Sequence, residues 1–190
     1  EYLKNRDVDE SIIKEFQIGL SLENDRDLAK ILLSKFKPED VLESGLVKKN
    51  EYGYFDLFYN RIMFPLYDLN GEVVAYSGRI YDRKDNSKYI NTRETPIFKK
   101  GELLYNYHRA KEPARQKNQI IVVEGFMAAI RTYINGLPNV VATMGTAVTN
   151  TQAHLIKRLA KDVIICFDGD EAGAKGTLSF IDELISLGVN

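Results

Sequence analysis

Ile120-Ile121-Val122-Val123-Glu124-Gly125 and Val163-Ile164-Ile165-Cys166-Phe167-Asp168-Gly169-Asp170 decide the fold, because each drives an apolar run straight into acid. Both runs have the length and β-branched content of fully buried parallel strands, and a segment with helical spacing follows each. They read as two β-α units of an open α/β sheet. In such a sheet ligands bind beyond the carboxyl ends of the strands, and here that rim collects Glu124, Asp168 and Asp170. Three converging carboxylates repel one another. A hard divalent cation resolves the repulsion: Mg²⁺ takes carboxylate oxygens at about 2.0–2.1 Å and keeps water or phosphate in its other positions.

A third run, Val140-Val141-Ala142-Thr143-Met144, lies between the two and opens into Gly145-Thr146. Gly145 allows close approach of backbone to a phosphate, and the following helix offers its first amides to one. Thr149 and Gln152 have the spacing of a capping box, which places that helix start.

Working outward, Asp9 is the expected N-cap of a helix carrying Ile12, Ile13 and Phe16 that stops near Gly19. Leu28, Ile31, Leu32 and Phe36 predict a second amphipathic helix before Pro38. Ile62 to Tyr67 and Glu72 to Ile80 flank an Asn70-Gly71 turn and predict an antiparallel pair. From Tyr81 to Gly101 the chain is loop-rich, and Arg83, Lys84, Lys88, Arg93, Lys99 and Lys100 outnumber Asp82, Asp85 and Glu94. Leu103 to Arg115 reads as a helix, and Lys117-Asn118 as a junction. The final helix carries Leu178, Ile181 and Ile185 at core spacing and ends near Gly188.

Composition sets outer bounds. A chain of 190 residues with 44% hydrophobic content can bury a core in one domain or two small ones. Cys166, the only cysteine, sits in an apolar run, which excludes a disulfide framework and a cysteine zinc site and suits an inert core thiol in a reducing cytoplasm. No apolar run is long enough to span a bilayer, so no membrane partner is expected. The formal net charge of −1 gives no overall basic footprint, and nucleic-acid binding has to come from local patches. His108 and His154 lack metal-ligand spacing and read as surface or capping residues. A calcium EF-hand starting at Asp168 is disfavoured, since its twelfth position is Ser179 and not the bidentate Glu that loop needs.

Val122-Val123-Glu124-Gly125-Phe126-Met127, Ala142 to Ala147 and Phe167 to Gly173 together resemble the Toprim domain of bacterial primases and topoisomerases, in the wording of the DnaG-type primase. The opening Tyr2 to Arg6, Arg61 to Pro65 with Tyr76 to Ile80, and Lys88-Tyr89-Ile90-Asn91 through Lys100-Gly101 resemble the rest of that catalytic core. Two positions depart: Ala128 stands where the family commonly has an acid, and Ser77 where it more often has glycine. The resemblance implies an α/β fold, with an N-terminal mixed α+β subdomain at 1–117 and a C-terminally truncated Toprim subdomain, Rossmann-like with a largely parallel sheet, at 118–190. It implies DNA-templated synthesis of short RNA primers from ribonucleoside triphosphates by a nucleotidyltransferase, with low activity in a fragment.

In that reading Glu124, Asp168 and Asp170 are catalytic and bind Mg²⁺ or Mn²⁺. Arg6, Arg79, Lys88, Asn91, Lys100, Gly145 and Thr146 bind nucleic acid or nucleotide. Zinc belongs only to a domain absent from this chain. The implied partners are a single-stranded DNA template and, through a region absent here, the replicative helicase, in the bacterial cytoplasm at the nucleoid. Two other classes stand beside it: a Toprim nuclease or topoisomerase, which needs a tyrosine nucleophile or nuclease partner elsewhere, and a non-catalytic nucleotide-binding module, which Ala128 favours.

Overall fold

The computed structural model describes residues 2–81, 87–145 and 147–189. Arg83, Lys84, Asp82 and Asp85 of the basic stretch, and Thr146, lie outside them. Contacts divide the chain into two compact units, 1–66 with 73–99, and 67–72 with 100–190. The division expected at 117/118 falls inside the second.

The first unit is mixed α+β. In chain order it holds α1 (Glu10–Glu15), β1 (Gly19–Leu20), α2 (Asp27–Leu33), α3 (Pro38–Glu43), β2 (Val47–Asn50), β3 (Gly53–Asp56), β4 (Ile62–Tyr67), β5 (Val73–Arg79) and β6 (Tyr89–Asn91). The Asp9 carboxylate accepts from the Ile12 amide and caps α1 as expected. Pro38 does not simply end the second helix; it sits at the first position of α3, where its missing N–H costs nothing. The start of α2 is capped from a distance, since the buried Asp56 carboxylate accepts from the Leu28 and Ala29 amides at 2.9 and 2.7 Å. Strands β1-β4-β5-β6 form one sheet and β2-β3 a separate hairpin.

The second unit holds α4 (Tyr107–Lys117), β7 (Gln119–Val123), α5 (Phe126–Ile134), β8 (Val140–Ala142), α6 (Asn150–Lys157), β9 (Asp162–Cys166) and α7 (Glu171–Ser186). Its sheet is parallel in the order β8-β7-β9, with Val123 level with Ala142 on one side and Cys166 on the other. Ile120, Val122 and Val141 pack with residues of α4, α6 and α7 into one core, to which Val163 and Ile165 add their side chains. The alternate residues of β7 and β8 meet α5. The α4 helix starts four residues later than the periodicity suggests, because Lys100–Glu102 forms a 3-10 turn and Tyr105 pairs with Ala142 at the edge of β8.

Two expectations fail here. The second acid-tipped run is not fully buried: β9 is an edge strand, and Ile164 and Cys166, level with Ile121 and Val123, are exposed where α5 covers β7 and β8 but not β9. Among the described residues Cys166 is exposed and not part of the core. In α7 the buried residues are Gly173, Phe180 and Leu184, whereas Leu178 and Ile185 are 67% and 65% exposed. That helix carries two apolar stripes about 100° apart, which periodicity alone cannot rank.

Candidate functional site

Glu124 is the residue after β7, and Asp168 follows the neighbouring β9 by two, so parallel pairing carries both to one rim. The Asp168 amide donates to the Glu124 carboxylate. Burial first, then the charges of Asp168 and Asp170, pushes the Glu124 carboxyl above its ordinary value, with that amide opposing. Glu124 Oε2 is buried with no hydrogen-bond donor among the described residues. Asp170 is the N-cap of α7, its Oδ1 accepting from the Gly173 amide at 2.7 Å. A Cβ on Gly173 would lie 2.0 Å from the Asp168 carbonyl oxygen, so only glycine lets the first turn of α7 close against the loop that holds both aspartates.

The third strand joins the same rim through its backbone. The Thr143 amide donates to Val123 carbonyl and the Met144 amide to Glu124 carbonyl, at 3.2 and 2.7 Å. The left-handed residue in this loop is Met144, φ 61°, and a Cβ on Gly145 would meet no protein atom within 4 Å. Gly145 nonetheless borders a pocket of about 350 Å³ lined by Lys100, Gly101, Thr143, Met144, Ala147 and Gln152. The capping box is present, with both Thr149–Gln152 bonds at 3.1 Å. It also does something the motif does not announce. Thr149 donates to the Gly101 carbonyl, and the buried Gln152 amide donates to the Leu103 and Thr143 carbonyls at 2.8 and 3.2 Å. One helix start thus fastens both walls of the pocket that Lys100 lines.

The remaining predicted residues belong to the first unit. The Arg79 guanidinium lies 4.2 Å from the centre of the Tyr2 ring and 4.9 Å from that of Tyr89, whose hydroxyl it also meets, and Arg6 lies 5.0 Å from Tyr2 on the same cluster. Burial and then Tyr89 push the Tyr2 phenol up to about 12, against the opposing arginines. Arginine faces stacked between tyrosines are held in place before any ligand arrives. Lys88 precedes β6 and Asn91 ends it, both in exposed positions. Sequence reading gave Arg61 no role, yet it is 2% exposed and donates to the Gly78 and Ser87 carbonyls, pinning the strand from which the basic stretch departs. Charge at a strand start carries no signal of such burial. His108 is half-buried: it packs on Tyr67 in the second unit, and burial drives its imidazole down to about 4.

Among the described residues no three His, Cys, Asp or Glu side chains are grouped closely enough to hold a metal ion by themselves. The donor set at the rim is a partly buried Glu124 with one free oxygen beside Asp168. It fits Mg²⁺, which protein sites commonly hold through one or two carboxylates while water and substrate phosphates complete the shell.

Residues 1–111 match the family described as the DNA primase catalytic core, N-terminal domain, and residues 118–190 match the Toprim domain. The chain is 40% identical over 192 aligned positions to a DNA primase of Staphylococcus aureus, covering 100% of this chain and 32% of that protein. It therefore spans about a third of the length of the curated relatives it matches. Among solved structures, the Aquifex aeolicus primase (zinc-binding and RNA polymerase domains) superposes with a TM-score of 0.89 at 36% identity, over 99% of this chain and 47% of that one. A DnaG primase catalytic domain bound to ssDNA superposes with a TM-score of 0.86 at 31% identity, over 96% and 57%.

Proposed function

Because the chain belongs to the DNA primase catalytic-core family, we propose that it carries the nucleotidyl-transfer site of a primase, which joins ribonucleotides into short RNA primers on a single-stranded DNA template. The observation that carries this reading is Glu124: a partly buried carboxylate with a free Oε2, beside Asp168 and Asp170, whose repulsion a divalent cation relieves. Glu124, Asp168 and Asp170 would hold Mg²⁺ or Mn²⁺, with Asp170 using Oδ1 as a helix cap and keeping Oδ2 for the ion. When bound, such ions stabilise charge on the attacking and leaving oxygens of an in-line phosphoryl displacement.

The protein groups supply the rest. Glu124 Oε2, free of donors, serves the ion or, in the alternative role, accepts the proton of the attacking 3′-hydroxyl. Lys100 and the Thr143–Gly145 loop receive the triphosphate in their shared pocket, with Thr146 as a further contact. Arg6, Arg79, Lys88 and Asn91 hold the template strand by phosphate contact and stacking, a reading supported by the related catalytic domain bound to ssDNA. We assign the boundary between the N-terminal portion and the Toprim portion to 117/118. A helicase partner, reached through sequence outside these residues, and a place in the bacterial cytoplasm at the nucleoid belong to the same proposal. No helix among the described residues is long and apolar enough to cross a membrane.

Ala128 favours the second reading, a nucleotide-binding module without catalysis. It lies in the first turn of α5, directly after the Glu124 rim, and removes a carboxylate from where the family commonly places one. The N-terminal match over 1–111 weighs against the nuclease or topoisomerase reading. Residues 1–190 alone are expected to bind Mn²⁺ weakly and to make little primer. The test pairs Mn²⁺ titration followed by electron paramagnetic resonance with a primer-synthesis assay on single-stranded DNA. Loss of Mn²⁺ binding in Asp168→Ala supports the site. Unchanged Mn²⁺ binding in Asp168→Ala and Glu124→Gln overturns it, and robust synthesis by residues 1–190 overturns the account of the fragment.

A further inference from the structure

Most residues other than glycine that take a left-handed backbone in this chain carry a side chain suited to it. Asp7, Gln17, Asn60, Asn106 and Asn118 have φ between 48° and 67°, and each bears a carboxyl or amide able to bond nearby backbone. Met144, at φ 61°, is the exception among the described residues. Its thioether offers no such bond, and glycine alone takes this conformation without steric cost. Four hydrogen bonds hold the strained turn. The Thr143 and Met144 amides donate to the Val123 and Glu124 carbonyls at 3.2 and 2.7 Å, the Thr143 hydroxyl to the Gly145 carbonyl at 2.7 Å, and the Gln152 side chain to the Thr143 carbonyl at 3.2 Å. Backbone strain persists where the surroundings over-determine it, and it gathers at functional sites.

Met144 stands between two parts of the site. Its amide holds the carbonyl of Glu124, while the Asp168 amide holds the Glu124 carboxylate, so the metal-facing residue is fixed at both ends. Met144 also lines the pocket of about 350 Å³ that Lys100, Gly101 and Gln152 share. Glycine would meet the backbone requirement without strain and would leave that wall open. We propose that Met144 is a positioning residue with two separable duties: its left-handed backbone aims Glu124 at the cation, and its side chain walls the nucleotide pocket. The inference rests on the reading of the rim as a cation site and of the Lys100 pocket as the triphosphate site, and it adds the residue that sets one against the other.

Substitution can split the two duties. Valine keeps an apolar wall but, being β-branched, resists a left-handed backbone; glycine does the reverse. The experiment measures Mn²⁺ affinity of residues 1–190 by electron paramagnetic resonance without nucleotide, and ATP affinity by calorimetry in a metal chelator. The variants are Met144→Val, Met144→Gly and Met144→Leu, with Asp168→Ala as the control for the rim. Met144→Val should weaken Mn²⁺ roughly tenfold, the scale of losing a group that supports a metal ligand, and leave ATP within about twofold. Met144→Gly should weaken ATP roughly tenfold for the lost apolar contact and leave Mn²⁺ within about twofold. Met144→Leu should restore both. A thermal melt of each variant checks folding. Independent of any substitution, the Met144 amide hydrogen should exchange slowly in the parent and more slowly still when Mg²⁺ is added.

If Asp168→Ala abolishes Mn²⁺ binding while Met144→Gly and Met144→Val shift neither affinity, the inference is wrong and the site stands. If both variants weaken both ligands alike, Met144 merely supports the loop and the inference is overturned. A Met144 amide that exchanges as in an unstructured peptide, or that ignores Mg²⁺, overturns it whether or not the valine variant folds. If Asp168→Ala leaves Mn²⁺ binding unchanged, the site itself falls and takes the inference with it.

Discussion

β7 and β9 are near twins in composition, each a short β-branched run that ends in acid, yet they occupy opposite situations. β7 is central, with Ile120 to Val123 all buried, and the acid it delivers is partly desolvated and left with a bare oxygen. β9 is an edge, its alternate residues open to solvent, and its acids sit in a loop drawn tight by Gly173. β-branched content reports the tendency to be a strand; coverage depends on where the helices land. The difference also sorts the chemistry, since the central strand raises the basicity of its carboxylate while the edge strand keeps its own accessible to a cation.

The largest test asks whether the two strands serve one site. In a primase chain active in primer synthesis, Glu124→Gln, Asp168→Ala and Asp170→Ala should each cut the rate by about a hundredfold or more, the scale of losing a positioned acid–base group. Steady-state primer synthesis with labelled ribonucleotides reads it. Retention of activity in Glu124→Gln alone would confine the chemistry to the edge strand.

Packing gives the next contrast. Ile120→Ala removes fully buried side chain and should cost about 2–5 kcal/mol, whereas Ile164→Ala, at a position 41% exposed, should stay within about 0.5 kcal/mol. Urea unfolding of both variants checks the pair. In residues 1–190 Cys166 should react with a thiol reagent without denaturant, which a covered β9 would prevent.

A smaller effect is expected at the cap. Thr149→Ala loses the helix-capping acceptor and the bond to Gly101, for about 1 kcal/mol, and weaker ATP binding by calorimetry should accompany the loss. An unchanged nucleotide affinity would separate the helix start from the pocket wall.

The smallest effect is electrostatic. A carboxyl whose folded pKa lies above its unfolded value contributes stability at low pH that is lost as pH rises through the folded pKa. Glu124 is such a group. Without divalent metal, Glu124→Gln should therefore melt slightly higher than the parent at neutral pH, by less than the roughly 2–4 °C that 1 kcal/mol gives a chain of this size. The gap should close in acid, and adding Mg²⁺ at neutral pH should narrow it. Melting curves across pH decide the sign.

Local chemistry made much of this legible. Asp9, the Asn70-Gly71 turn and the Thr149–Gln152 box act over a few residues, and they sit where their spacing puts them. The two acid-tipped strands were readable for the same reason, since run length and β-branched content are local properties. What stayed hidden depends on partners distant in sequence. The cap of α2 comes from Asp56, the burial of Arg61 from Gly78 and Ser87 carbonyls, and the exposure of Ile164 and Leu178 from helices that stop short of them. Gly173 was visible as a letter in a motif, but its closeness to the Asp168 carbonyl exists only after the loop has folded.

Gln152 has an implication for motion. Its backbone closes the first turn of α6 while its side chain grips Leu103 and Thr143, so fraying of that helix end and loosening of the pocket around Lys100 are one opening event. Amide hydrogens in the first turn of α6 would then exchange more slowly whenever the pocket is filled, and the helix start becomes a built-in reporter of occupancy.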